Sequence, residues 1–449
     1  MAKTRTDWRC QQCGYSAPKW LGKCPECGEF GTLVEEIRSP DAHTTGSGGV
    51  PRAPLRLADV QATSAARVRT GVTEFDRVLG GGLVRGSLVL LAGEPGIGKS
   101  TLLLQTAGSL AHEGSQVLYI CGEESAEQVK MRADRLGSMG DILLLPETDI
   151  ASVVATAQAV KPDVLVVDSI QTMMDADLEG VPGSVGQVRS CAARLMRLAK
   201  NDGVTVILVG HVTKEGTIAG PRVLEHTVDT VLSFEGDRDH VFRIVRATKN
   251  RFGSVSEIGV FEMNESGLVG VSDPSGVLLS ERAGDSPGTC ILATVEGTRP
   301  VLVEIQALVT PSYLPAPRRL SVGVDTARVL QVLAVLERRA GISFGQHDVY
   351  VSVAGGVRIV EPAVDLALAL ALASARTDTA LPGGTAAFGE VGLTGEIRAV
   401  SHVAARLGEV ARMGLGPVVV AQRSAGAAEG VRTRGYRMLS EAVCGLLPT

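Results

Sequence analysis

A chain of 449 residues is too long for one ordinary core and predicts about two or three domains. Hydrophobic residues at 45% with 21% charged residues exclude a disordered chain, and a net charge of −5 excludes a global pull toward nucleic acid or anionic membrane. Aromatic residues make up only 3%, which argues against a base-stacking platform and leaves any DNA contact to local basic loops.

Residues 1–36 read as a metal ribbon. Cys10-x-x-Cys13 and Cys24-x-x-Cys27 form two cysteine knuckles ten residues apart, and Gly14 and Gly28 follow the pairs as tight turns require. Four thiolates in a tetrahedron suit Zn²⁺. Iron in the same sulfur set, or a redox dithiol, is the alternative, and two pairs at ribbon spacing point to metal. Met1 to Cys10 lacks the apolar region of a secretory signal, and no run reaches the ~18 apolar residues of a membrane span. A cytoplasmic location without a membrane partner is expected, with Cys121, Cys191, Cys290 and Cys444 as small core hydrophobes.

Residues 37–54 are rich in Ser, Gly, Pro and Thr and read as a flexible linker. From 55 to 272 apolar strands alternate with helical patterns, which predicts an α/β domain with a parallel sheet and crossover helices. The strand Ser87 to Ala92 meets a helix starting near Thr101, and between them lies Gly93-Glu94-Pro95-Gly96-Ile97-Gly98-Lys99-Ser100. This is G-x-x-x-x-G-K-S in the strand–loop–helix setting of a phosphate-binding loop. Its glycines let successive N–H groups face a triphosphate, Lys99 reaches the β- and γ-phosphates, and Ser100 offers its hydroxyl to Mg²⁺. ATP with Mg²⁺ is the expected ligand.

Further strands place polar residues at the same sheet edge. Gln116 to Ile120 precedes Glu123 and Glu124, and a carboxylate there orients and deprotonates an attacking water. Val164 to Val167 ends in Asp168, a Mg²⁺-water ligand or, alternatively, a helix cap. Val204 to Val209 leads to His211, a γ-phosphate sensor or an ordinary cap histidine. The strand Phe242 to Val245 leads to Lys249-Asn250-Arg251-Phe252-Gly253. Two cations one residue apart on an extended segment point to one side and reach phosphates on a neighbouring subunit, unless they are a solvated basic strand end. A soft boundary falls near Ser272 to Gly288. Residues 285–449 mix strands (Val301 to Val309, Val349 to Val353) with helices (Thr326 to Arg339, Glu361 to Ser374).

The four-cysteine ribbon, the run from Thr70-Gly71 through Phe75-Asp76 to Leu79-Gly80-Gly81-Gly82-Leu83, the phosphate loop, Gly122-Glu123-Glu124-Ser125 and the Lys249 to Gly253 block together resemble the bacterial RadA (Sms) family of DNA repair proteins. The resemblance runs end to end, and Phe30 stands where the family has a tryptophan, a packing change clear of the ligands. It implies a RecA-like ATPase that forms a hexameric ring on single-stranded and branched DNA and works beside the RecA recombinase at recombination intermediates. It further implies that Lys99, Ser100 and Thr101 bind nucleotide with the rest of the loop, that Ser100 and Asp168 serve Mg²⁺, and that Glu123 is the base. Lys249 and Arg251 become trans-acting or DNA-coupling residues, and Lys214 and Arg222 bracket a DNA-contacting loop. The final block resembles the α+β proteolytic domain of Lon. Its Ser–Lys chemistry cannot be built there, because no lysine follows Lys249 and the expected positions fall near Ala363 and Ala404. A ring-building scaffold is expected instead, with Arg318, Arg319, Arg338 and Arg339 as DNA candidates. A KaiC-like ATP-driven switch without a DNA role, or an ATP-dependent protease, are the competing readings.

Overall fold

The computed structural model describes residues 5–10, 15–26, 28–38, 67–137, 140–211, 222–236, 242–280, 282, 284, 286–426 and 430–447. Contacts separate two compact units, residues 1–237 with 242–270 and residues 238–241 with 271–449.

The first unit opens with a small antiparallel sheet, β1 (Arg5–Cys10) between β2 (Ser16–Ala17) and β3 (Leu33–Arg38). Its buried apolar cluster is Cys10, Ala17, Cys24 and Leu33, too little apolar surface to hold a fold alone. The Phe30 ring is not a packing element. It is 73% exposed, with the Lys23 ammonium 5.1 Å from its centroid.

A short hairpin, β4 (Arg67–Val68) and β5 (Leu83–Val84), brackets α1 (Thr73–Leu79). Then follow β6 (Leu88–Gly93), α2 (Lys99–His112), β7 (Val117–Cys121), α3 (Ala126–Leu136), β8 (Ile142–Leu145), α4 (Ile150–Val160), β9 (Val164–Asp168), α5 (Val185–Asp202) and β10 (Thr205–His211). The unit closes with α6 (Arg222–Thr227), β11 (Thr230–Glu235), β12 (Phe242–Asn250), β13 (Ile258–Asn264) and β14 (Gly267–Gly270). The nine strands form one sheet in the order β14-β13-β12-β11-β6-β10-β9-β7-β8. From β11 to β8 all pairs are parallel, as the alternating pattern predicts. The β12 to β14 end is antiparallel, an edge added to the predicted parallel sheet. The physical reason is connection length, since the short links between these strands cannot hold a crossover helix.

Strand alternation divides the core. Val89 and Leu91 join Leu103, Ala107 and Val129 on one face, while Leu88, Leu90 and Ala92 join Val153, Val188 and Leu195 on the other. The helices begin where their caps dictate. Ser125 and Gln128 make a capping box on α3, and Asp149 accepts from Ala151 and Ser152 N–H at the start of α4.

The second unit contains α7 (Pro274–Leu279), β15 (Thr289–Glu296), β16 (Arg299–Pro311), β17 (Arg319–Val322), α8 (Thr326–Arg339), β18 (His347–Val353) and α9 (Val364–Thr377). It continues with β19 (Ala386–Ala387), the hairpin β20 (Glu390–Val391) and β21 (Ile397–Arg398), α10 (Val403–Arg412), β22 (Val418–Ala421), β23 (Thr433–Tyr436) and α11 (Leu439–Leu446). Seven strands make a mixed sheet, β17-β18-β16-β15-β19-β22-β23. Helix α9 is buried from Val364 to Ser374. It starts three residues later than the predicted Glu361, because a residue before proline is disfavoured in helix and Pro362 follows Glu361.

Ala363 is fully buried beside α9, and Ala404 is exposed on α10. The nearby buried cation is Arg406, 1% exposed, which donates to both Glu361 oxygens at 2.8 and 2.6 Å and to the Ala293 carbonyl at 2.6 Å. Such a bidentate pair is structural chemistry, and an arginine does not serve as a base near neutral pH. Arg319 is likewise engaged, donating to the Phe344 and His347 carbonyls. Arg338 and Arg339 remain exposed. Cys121, Cys191 and Cys290 are buried as expected, but Cys444 is exposed, because α11 turns Ala442, Val443 and Leu446 inward instead.

Candidate active site

Strand β6 delivers the chain to the carboxyl edge of the sheet, where Gly96 and Gly98 take φ values of 79° and 117°. These are left-handed conformations that favour glycine. A Cβ on Gly98 would also meet Met263 Cε at 2.8 Å and Leu268 Cδ1 at 3.2 Å, so the β13–β14 hairpin packs directly on the loop. Helix α2 starts at Lys99, two residues earlier than predicted, and no side chain caps it. Its first N–H groups and the positive end of its dipole are therefore directed at whatever the loop encloses. Lys99 is 4% exposed and its Nζ donates to the Gly93 and Glu94 carbonyls, each at 2.9 Å. Burial pulls its pKa down to about 8 against the opposing charges of Asp168, Glu123 and Glu94. A triphosphate would add negative charge and favour the ammonium form.

Register brings the remaining polar residues to this edge. His211 pairs with Gly93 across β10 and β6, and Cys121 pairs with Asp168 across β7 and β9. The Gly122 N–H donates to the Asp168 carbonyl at 2.8 Å, which turns the chain so that Glu123 lies beside Ser169 and His211. Glu123 Oε1 accepts from the Ser169 hydroxyl and lies 2.9 Å from His211 Nε2. The His211 contact holds the Glu123 carboxyl below the usual range, with Ser169 adding to it and burial acting against it. Glu124 turns away into an ion pair with Arg132. Asp168, 8% exposed, accepts from the Tyr119 hydroxyl at 2.7 Å.

Tyr119 and Ser169 were missed by sequence reasoning. A tyrosine in an otherwise apolar buried strand needs a partner for its hydroxyl, and that was the available signal. Also unread was a cleft of about 810 Å³ beside Thr101, lined by Arg135, Leu136, Met263 and Asn264. Gln105 fixes it in place by donating to the Leu268 carbonyl at 3.2 Å and accepting from the Leu268 N–H at 3.0 Å.

Lys249 and Arg251 lie elsewhere. Lys249 pairs with Val231, which pairs with Leu90, and Arg251 follows the end of β12. Both therefore stand at the amino edge of the parallel strands, opposite the loop that follows Gly93. They converge by a turn, which corrects the expectation of two side chains on one extended strand. Lys249 Nζ donates to the Glu225 and Val228 carbonyls at 2.6 and 2.7 Å, closing the end of α6. Arg251 Nη1 lies 3.1 Å from Asp229, and its N–H donates to the Asp229 carbonyl. The turn is fixed by Asn250 Oδ1, which accepts the Phe252 N–H at 2.9 Å, and by Arg67, which donates to the Leu79 and Phe252 carbonyls. Two motifs far apart in sequence are thus one structure. Arg222 opens α6, and Lys214 lies outside the described residues.

In the ribbon Cys10 and Cys24 are both fully buried. The Cys10 N–H donates to the Tyr15 carbonyl, the Cys24 N–H to the Glu29 carbonyl, and the Gly28 N–H to the Cys24 carbonyl at 2.9 Å. Two fully buried cysteines in this small sheet fit a thiolate-bound metal. Cys13 and Cys27 lie outside the described residues.

A family model described as an AAA domain matches residues 51–217, and one described as a rubredoxin metal binding domain matches residues 8–35. A KaiC-like protein from the archaeon Pyrococcus horikoshii OT3 has a solved structure that aligns with a TM-score of 0.38 at 23% identity, over 46% of this chain and 99% of that one. The DNA repair protein RadA of Bacillus subtilis (strain 168) is 50% identical over 429 residues, 94% of this chain and 93% of that protein. RadA of Streptococcus pyogenes serotype M1 is 49% identical over 417 residues, covering 92% of each chain. RadA of Listeria monocytogenes serovar 1/2a is 47% identical over 457 aligned residues, 100% of this chain and 99% of that one. Identity of this order along nearly the whole of both chains means that this chain belongs to the RadA family of DNA repair proteins.

Proposed function

We propose that this chain is a DNA-dependent ATPase motor, assembled as a hexameric ring, that promotes branch migration of recombination intermediates beside RecA. The observation that carries the reading is the position of Lys249 and Arg251. They stand at the sheet edge away from their own phosphate loop, on a turn fixed by Arg67 and Asn250. Cations placed so serve a triphosphate held by the next copy, as an arginine finger does.

Within one site, Lys99 and the first turn of α2 hold the phosphate chain, while Thr101 and the cleft under Met263 receive the nucleoside. Ser100 and Asp168 would hold Mg²⁺, which supplies charge neutralisation at the phosphates when bound. Glu123 takes the proton of the attacking water, with Ser169 and His211 setting its orientation. Lys214 and Arg222 contact DNA phosphates without reading sequence. The working divisions are 1–36 as a zinc ribbon, 37–54 as a linker, 55–272 as the ATPase and 285–449 as a proteolytically inactive Lon-like scaffold.

The test is complementation within mixed assemblies. Lys99→Ala chains lack a working loop but carry intact cations, and Arg251→Ala chains have the reverse defect. Mixing them should restore part of the ATPase rate, whereas an activity no greater than the sum of the two variants contradicts a shared site. Zinc is the proposed ribbon metal. Purified protein should carry about one zinc per chain, and Cys10→Ser with Cys24→Ser should lose it with the ATPase unit still folded by circular dichroism; iron in its place would overturn the assignment.

A further inference from the structure

A third cation stands beside Lys249 and Arg251. Lys200, in the last turn of α5, places its Nζ 2.7 Å from Asp229 Oδ2. Asp229 is the meeting point of this edge. Its side chain is 2% exposed, it accepts the Leu88 N–H at 3.1 Å, and Arg251 lies 3.1 Å from its other oxygen. Burial pushes the Asp229 carboxyl up, yet the hydrogen bonds from Lys200 and Leu88 and the two neighbouring cations hold it below its ordinary range.

Among the described residues that interact at Asp229 and Lys249, the charges do not balance. Lys200, Lys249 and Arg251 bring three positive charges, and Asp229 with Glu225, whose charge also faces Lys249, bring two negative ones. One positive charge is left over, at an edge where Lys200 and Arg251 are 45% and 55% exposed. Burial depresses the Lys249 ammonium, and the Arg251 charge depresses it further, so these cations already crowd one another. Like charges held together on a fixed frame await an anion. The frame is rigid, since Asp229 is tied to β6 through Leu88 and the Arg251 turn is tied to Asp229 through the backbone.

We infer that Lys200 is a further catalytic cation, which with Lys249 and Arg251 grips the terminal phosphate of a nucleoside triphosphate bound to the adjacent copy. This rests on the shared-site reading above. A lysine that only neutralises Asp229 would leave the exposed charge without a task.

A double-mutant cycle separates the two roles. Lys200→Met in the wild-type background should lower the DNA-stimulated kcat about 100-fold with KM for ATP little changed, the scale for losing one charge-stabilising donor. In an Asp229→Asn background, Lys200→Met should still cost a similar factor, because its target is the phosphate. No further loss in that background would show that Lys200 serves Asp229 alone and would overturn the inference. Should Asp229→Asn fail to fold, Lys200→Met mixed with Lys99→Ala decides. Regained activity supports a trans role and none refutes it. If Arg251→Ala also fails to complement Lys99→Ala, the shared site itself is wrong; if Arg251→Ala complements and Lys200→Met does not, only this inference fails.

Discussion

Lys99→Ala is expected to abolish ATP hydrolysis, a loss of about 10³-fold or more. Lys99 is the only ammonium among the described residues that stands inside the phosphate loop, and its Nζ is fixed by the Gly93 and Glu94 carbonyls at 2.9 Å. Alanine leaves those two carbonyls without their donor and would remove the charge proposed to offset the transferring phosphate. The fold should survive, because α2 keeps Leu102, Leu103 and Ala107 in the core. Steady-state phosphate release measures the effect, and thermal denaturation separates it from unfolding. A rate within tenfold of the wild type would remove Lys99 from the chemistry.

Glu123→Gln is expected to cost about 10²- to 10⁴-fold in kcat while nucleotide still binds. Glutamine keeps the size and accepts from Ser169, but it cannot take a proton. Glu124→Gln should change little, because Glu124 is engaged with Arg132. The pH dependence carries a sign. A base acts when deprotonated, and the His211 contact lowers the Glu123 carboxyl below the usual range. The acid limb of kcat against pH should therefore fall below the ordinary glutamate region, and His211→Ala should move that limb upward. An unchanged limb would mean that Glu123 is not the titrating base.

Much of the site was legible because it depends on local sequence. The loop Gly93 to Ser100 needs glycine at set positions and a strand before it, and Asp168 and His211 follow strands whose apolar runs mark where they end. What could not be read depends on pairing between distant elements. Nothing in Lys249-Asn250-Arg251 says that Asp229 will lie beneath it, or that the carbonyls of α6 will engage Lys249. The antiparallel direction of β12 to β14 was missed for a similar reason, as short links and not periodicity decide it. Tyr119 illustrates the limit in the core. Its partner Asp168 lies 49 residues away on a neighbouring strand, so only register brings the two together.

A ring whose sites are shared, and whose purpose is to move on DNA, should hydrolyse ATP in response to DNA. The measurement is the ATPase rate of the full chain with and without single-stranded DNA, with oligomeric state followed in parallel. A rate that rises several-fold with DNA while the chain assembles into rings is the expected result, and Arg251→Ala should abolish the rise without losing nucleotide. A rate and an oligomeric state both indifferent to DNA would contradict the motor and favour an ATP-driven switch.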